Sequence, residues 1–98
     1  MESTLKRQVL KYLATRPGRA LKIAGGPMQR AGEPDILYVE TGHAYFFELK
    51  TAPPGTLAGE PTAIQRHCMD QWAAAGATVA VVRSIQDVRA VFRGVEGG

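Results

Sequence analysis

Gly32-Glu33-Pro34-Asp35-Ile36-Leu37-Tyr38-Val39-Glu40-Thr41-Gly42-His43-Ala44-Tyr45-Phe46-Phe47-Glu48-Leu49-Lys50 consists of two strand-like runs around a break at Thr41-Gly42. Both runs are rich in β-branched, aromatic and aliphatic residues, the composition of strands. Residues two apart in a strand share a face, so Glu48 and Lys50 project together. With Thr41-Gly42 as a two-residue loop, Glu40 opposes His43, Leu37 opposes Phe46 and Asp35 opposes Glu48. Threonine is a poor first residue for such a turn, because both central residues need positive φ. A longer loop through His43 is the alternative register, and a one-residue slip would turn one strand over. Two carboxylates that close repel unless a cation lies between them, and hard oxygen ligands suit Mg²⁺. Lys50 beside them suits an anionic substrate. The hairpin therefore predicts a metal-dependent phosphodiesterase site at Asp35, Glu48 and Lys50.

Outward from the hairpin, periodicity predicts the other elements. Residues 2–15 read as a helix with Leu5, Val9, Tyr12 and Leu13 on one stripe, ended by Pro17-Gly18. Residues 20–25 are a short strand candidate before Gly25-Gly26-Pro27. Breakers make residues 53–61 a loop. A second helix is expected over about 62–75, with Ile64, Cys68, Trp72 and Ala75 on its apolar stripe. Residues 77–83 form an apolar run of the kind covered on both faces. Ser84 reads as an N-cap with Asp87 accepting back from it, and Ile85, Val88 and Phe92 line the last helix. The tail from Gly94 to Gly98 is expected to fray. The order is α-β-β-β-α-β-α, an α/β fold with a mixed four-stranded sheet flanked by helices. The strand–helix–strand passage makes the last two strands parallel with a right-handed connection. Ile36, Tyr38, Tyr45 and Phe47 fall on one face of the sheet, and Leu37, Val39 and Phe46 on the other.

A chain of 98 residues is expected to be one domain, residues 1–98, with a single core. No apolar run is long enough to cross a bilayer. Glu2 and Lys6-Arg7 interrupt any signal-peptide core, and a lone cysteine excludes an internal disulfide. Cytoplasmic residence is the expectation. The net charge of +3 is unevenly spread. Lys6, Arg7, Lys11, Arg16, Arg19, Lys22 and Arg30 face only Glu2 in the first third, a footprint that attracts phosphate backbones. Lys6, Arg7, Lys11 and Arg30 are the candidate nucleic-acid contacts. A solvated helix face is the plain alternative.

Pro34-Asp35 followed by Glu48-Leu49-Lys50 resembles the PD-(D/E)xK nuclease superfamily. Four pieces resemble one branch of it, the virus-type replication-repair nuclease (VRR-NUC) domain. They are Glu2 opening the first helix, Gly32-Glu33-Pro34-Asp35, Glu48-Leu49-Lys50-Thr51, and Gln65 early in the second helix. The ending Gly76-Ala77-Thr78-Val79-Ala80-Val81-Val82-Arg83-Ser84 also resembles that branch. The resemblance implies a restriction-endonuclease-like core and a stand-alone nuclease. It implies Mg²⁺, with Mn²⁺ as substitute, held by Asp35, Glu48 and the Leu49 carbonyl. Lys50 is implied to orient or activate the attacking water, Gln65 to hold Glu48, Lys50 or a phosphate, and Glu2 to reach the metal through water or bind a second ion. Branched DNA is the implied partner, and a homodimer the implied assembly. Val79, Val81, Val88 and Phe92 are the expected dimer surface.

His43, in the hairpin turn, is expected to be a solvent residue; His67 follows a polar helix face and has no partner spaced for catalysis. Cys68 is expected to be a small buried residue. Gly25-Gly26-Pro27 lacks the lysine and helix of a phosphate-binding loop. Two other functions compete with the nuclease: a non-catalytic nucleic-acid-binding module, and a subunit of a larger repair complex.

Overall fold

The computed structural model describes residues 4–23 and 31–97. Its elements are α1 (Thr4–Leu13), β1 (Arg19–Lys22), β2 (Ile36–Glu40), β3 (His43–Leu49), α2 (Ala63–Ala74), β4 (Thr78–Val82) and α3 (Ile85–Glu96). The order along the chain is the expected one. The sheet runs β1-β2-β3-β4, with β1, β2 and β3 antiparallel in turn and β4 parallel to β3. Among the described residues no helix is long and apolar enough to cross a membrane.

The hairpin takes the two-residue loop. Glu40 pairs with His43 and Leu37 with Phe46. Thr41 has φ 53° and Gly42 φ 76°, the left-handed pair this turn requires. A β-branched residue is strained there, but slipping the register would exchange the buried and open faces of one strand. Burial outweighs the turn. Thr41→Asn relieves the strain without touching the core, and should raise stability by about 0.5–1 kcal/mol in a chemical melt. An unchanged midpoint would mean that Thr41 is not strained.

One face of the sheet carries the core. Ile36, Tyr38, Tyr45, Phe47 and Val82 pack there against Leu5, Val9 and Leu13 of α1 and Val88 and Phe92 of α3. The Phe92 ring meets Tyr38 edge-on at 5.6 Å, Tyr45 at 4.8 Å and Phe47 at 6.0 Å. Phe92 and Val88 are therefore interior, and the dimer surface expected of them is corrected: α3 needs its apolar stripe for this core. The expected fraying from Gly94 is corrected too. The helix continues to Glu96 with Gly97 as its cap, and the Glu96 carboxylate accepts from Arg16. Arg16 also makes a bidentate pair with Glu40 at 2.9 and 3.1 Å, and stands 3.7 Å over the Phe92 ring. Tyr38 donates to Glu40 at 2.6 Å and accepts from the Gly18 amide at 2.9 Å. Arg16 is thus committed inside the fold rather than to a nucleic-acid footprint.

The other face is covered less than its sequence suggests. No residue of α2 is buried; Ile64 and Trp72 remain 57% and 37% exposed. Their stripe packs instead on the segment before β2 and on Phe46, whose ring stacks on Trp72 at 4.3 Å. Cys68 is only partly buried, with its thiol 3.8 Å from the Ala31 carbonyl. β4 is an edge strand touched by both α2 and α3, and only Val82 in it is fully buried, so the two-sided cover expected for residues 77–83 is partial. Ser84 caps α3 as expected, but the Asp87 carboxylate reaches past it to the Arg83 amide at 2.8 Å. His43 begins β3 rather than sitting free in solvent. Its Nε2 lies 2.7 Å from Thr78 Oγ1, and its ring meets Tyr45 edge-on.

Candidate functional site

The end of β1, the start of β2 and the ends of β3 and β4 lie together, where α2 and α3 begin. Ligands of open α/β sheets commonly sit outside the carboxyl ends of parallel strands. Asp35 and Glu48 meet there, on the face carrying Leu37 and Phe46. The Asp35 amide donates to the Phe47 carbonyl at 3.0 Å, and the Leu49 amide donates to Asp35 Oδ2 at 2.8 Å. One acid is therefore oriented by the strand that carries the other.

Glu48 is 2% exposed, the one buried charged residue among those described. Its Oε1 has no hydrogen-bond partner there. Burial, and secondarily the Asp35 charge, push its carboxyl up to about 7, while Lys50 pulls the other way. A buried carboxylate oxygen with no donor is costly and is normally satisfied by a partner. Asp35 and Glu48 together offer hard oxygen donors of the type Mg²⁺ takes. Among the described residues no group of three or more His, Cys, Asp or Glu side chains assembles, so backbone carbonyl and water would have to complete such a site.

Lys50 continues the strand, its amide donating to the Val82 carbonyl at 3.1 Å. Its ammonium lies 3.7 Å from Glu48 Oε2 and donates to Gln65 Oε1 at 3.0 Å. Gln65 Oε1 also accepts from the Thr62 amide at 2.9 Å, while Thr62 Oγ1 accepts from the Gln65 amide at 3.2 Å. This is a capping box, so the residue that starts α2 also holds Lys50. Thr62 was missed from sequence although the Thr-x-x-Gln spacing was there to read.

Two further contacts had no sequence signal. Trp72 Nε1 donates to Glu33 at 3.0 Å, tying α2 to the segment that delivers Asp35. Arg83, just past β4, donates to the Gly59 carbonyl and to Glu60 at 3.3 Å, pinning the loop 53–61. Gly32 has φ 88°, and a Cβ on it would lie 2.3 Å from Ile64 Cγ2, so only glycine lets this segment pass beneath α2.

Asp35, Glu48, Leu49, Lys50 and Gln65 are thus brought together. Lys6, Arg7 and Lys11 are on α1, which packs on the opposite face of the sheet. Arg7 and Lys11 are exposed and Lys6 is half-buried. Because α1 runs toward the hairpin-turn end, Lys6 and Arg7 lie nearer the carboxylates than Lys11. Glu2 and Arg30, like Gly25-Gly26-Pro27, lie outside the described residues. His67 is exposed.

No family model and no curated protein matches this chain. A solved structure described as a VRR_NUC domain is similar to it, with 23% identity over 91% of this chain and 90% of the other, and a TM-score of 0.72. At that identity the likeness is one of fold. Strand order, helix placement and this match agree, and the chain has the fold of a VRR_NUC domain.

Proposed function

We propose that this chain is a Mg²⁺-dependent endonuclease domain that hydrolyses phosphodiester bonds in branched DNA, such as four-way junctions, forks or flaps. The observation that carries it is the meeting of Asp35 with a buried Glu48 whose Oε1 lacks a partner. Mg²⁺, or Mn²⁺ in its place, would be held by Asp35, Glu48 and the Leu49 carbonyl, and would polarise the phosphate and favour ionisation of water. Lys50, fixed by Gln65, orients the attacking water and offsets negative charge on the pentavalent phosphorus. Glu2 would reach the ion through water or bind a second one. A pure binding module gains nothing from a buried acid facing a polyanion, which disfavours the non-catalytic reading.

Lys6, Arg7, Lys11 and Arg30 would attract the DNA backbone through their charge. A homodimer sets two sites at a fixed separation, suited to paired nicks across a symmetric junction. Its surface is the open half of the sheet, where Leu21, Val39 and Trp72 are exposed around Leu37 and Phe46. A dimer would bury this apolar surface.

One cleavage assay tests the reading, with duplex, single-stranded, flap, fork and four-way DNA, each with Mg²⁺, Mn²⁺ or chelator. Metal-dependent nicking of branched substrates, with linear duplex largely uncut, is expected. No product on any substrate with either ion would sink it. Sedimentation should give a dimer at micromolar concentration and a monomer for Leu21→Glu; a wild-type monomer that nicks junctions symmetrically would refute the dimer.

A further inference from the structure

The loop 53–61 is built like a rigid part, yet its tip carries a side chain that buries nothing. Thr56 Oγ1 donates to the Pro53 carbonyl at 2.7 Å, and the Gly59 amide donates back to Thr56 Oγ1 at 3.1 Å. The Gly55 amide donates to Glu60 Oε2 at 2.7 Å, and Arg83 holds Gly59 and Glu60 from β4. The winding is tight enough that a Cβ on Gly59 would lie 1.9 Å from the Pro53 carbonyl oxygen. Leu57 is nonetheless 98% exposed, the most exposed large apolar residue described. Packing therefore gives no reason for leucine at this position, whereas the bonds below it hold it in one place.

Both ends of the loop are rooted at the candidate site. It leaves the chain three residues after Lys50 and ends on Thr62, whose amide shares Gln65 Oε1 with the Lys50 ammonium. We propose that Leu57 is an apolar wedge that enters the base stack beside the phosphate that a metal at Asp35 and Glu48 would hold. The inference rests on the endonuclease reading and adds the element that selects the substrate. Apolar side chains inserted between base steps unstack them at a cost that is smallest where the stack is already broken. A fixed wedge next to the site therefore favours branch points over continuous duplex. Single-stranded DNA, with no paired stack to open, is indifferent to it.

The test compares the wild-type chain with Leu57→Ser and Leu57→Met. The probe is a four-way junction carrying 2-aminopurine at the branch, bound with Ca²⁺ in place of Mg²⁺, which takes oxygen ligands of the same kind, and read with uncut substrate verified. The wild type and Leu57→Met should brighten the probe. Leu57→Ser should leave it dark and bind about 10- to 100-fold more weakly, the change that burying one leucine represents. Thermal melts should coincide, since Leu57 supports nothing. With Mn²⁺, nicking of single-stranded DNA should be equal in wild type and Leu57→Ser. Equal brightening and affinity in Leu57→Ser would overturn the wedge while leaving the nuclease intact. A wild type that brightens the probe but cuts no DNA would overturn the nuclease and leave the wedge standing. A wild type that binds no junction would overturn both.

Discussion

Glu48→Gln and Asp35→Asn should each abolish cleavage while leaving the fold in place. Removing a group that merely supports a metal ligand costs about 10- to 100-fold, so removing a ligand should exceed about 100-fold. Mg²⁺ binding measured by calorimetry should weaken in parallel. The same substitution has a second effect that needs no activity to read. In the metal-free protein Glu48 titrates near 7 instead of the usual 4.5, chiefly because it is buried and secondarily because Asp35 is beside it. Between those values the folded chain holds a proton that the unfolded chain has released. Stability therefore falls as pH rises from 4.5 to about 7, and levels off above. Glu40 acts oppositely and lower. Its pair with Arg16, reinforced by Tyr38, holds its carboxyl below 4.5, so its contribution is lost as pH falls through that lower range. Melting in chelator should show the decline toward neutral pH in wild type and its absence in Glu48→Gln. Undiminished turnover in either variant would remove these residues from the site. A pH-independent wild-type melt between 4.5 and 7 would mean that Glu48 is not desolvated.

Phe92→Ala should cost about 3–5 kcal/mol. Phe92 is 1% exposed and its ring meets Tyr12, Tyr38, Tyr45 and Phe47, with Arg16 above it. Truncation leaves a cavity between α3 and the sheet that rigid aromatic neighbours cannot close. A domain of this size has only about 5–15 kcal/mol in total, so the loss is a large fraction of it. The melting temperature should fall by roughly 12 °C or more. A change below about 4 °C would mean that α3 is only loosely docked. Oligomeric state at low temperature should not change, because Phe92 faces inward.

Much of this protein follows from local chemistry. Alternation in Ile36–Glu40 and His43–Leu49 is set by the strand period alone, so which aromatic shares a face with which was readable. The same period places Glu48 and Lys50 together whatever the register. Leu5, Val9 and Leu13 at helical spacing gave the buried stripe of α1, and Ser84 gave the start of α3.

What escaped the sequence was decided by distant contacts. Thr41 argues against the two-residue turn locally, and the burial of Tyr38, Tyr45 and Phe47 overrides it. The stripe on α2 is periodic, but periodicity says only that a face is apolar, not how much of the sheet lies under it. Val88 and Phe92 were legible as one helix face, while its inward direction depended on where α1 and the sheet stand. Gly94 looked like an end because glycine is a poor helix former, yet the docked helix runs on to Glu96. In the site, the residue types and the shared strand face were local facts. The desolvation of Glu48, the hold of Gln65 on Lys50 and the clamp of Arg83 on the loop 53–61 are not. They exist only once segments far apart in sequence are packed together, because burial and charge proximity are properties of the folded surface rather than of neighbouring residues.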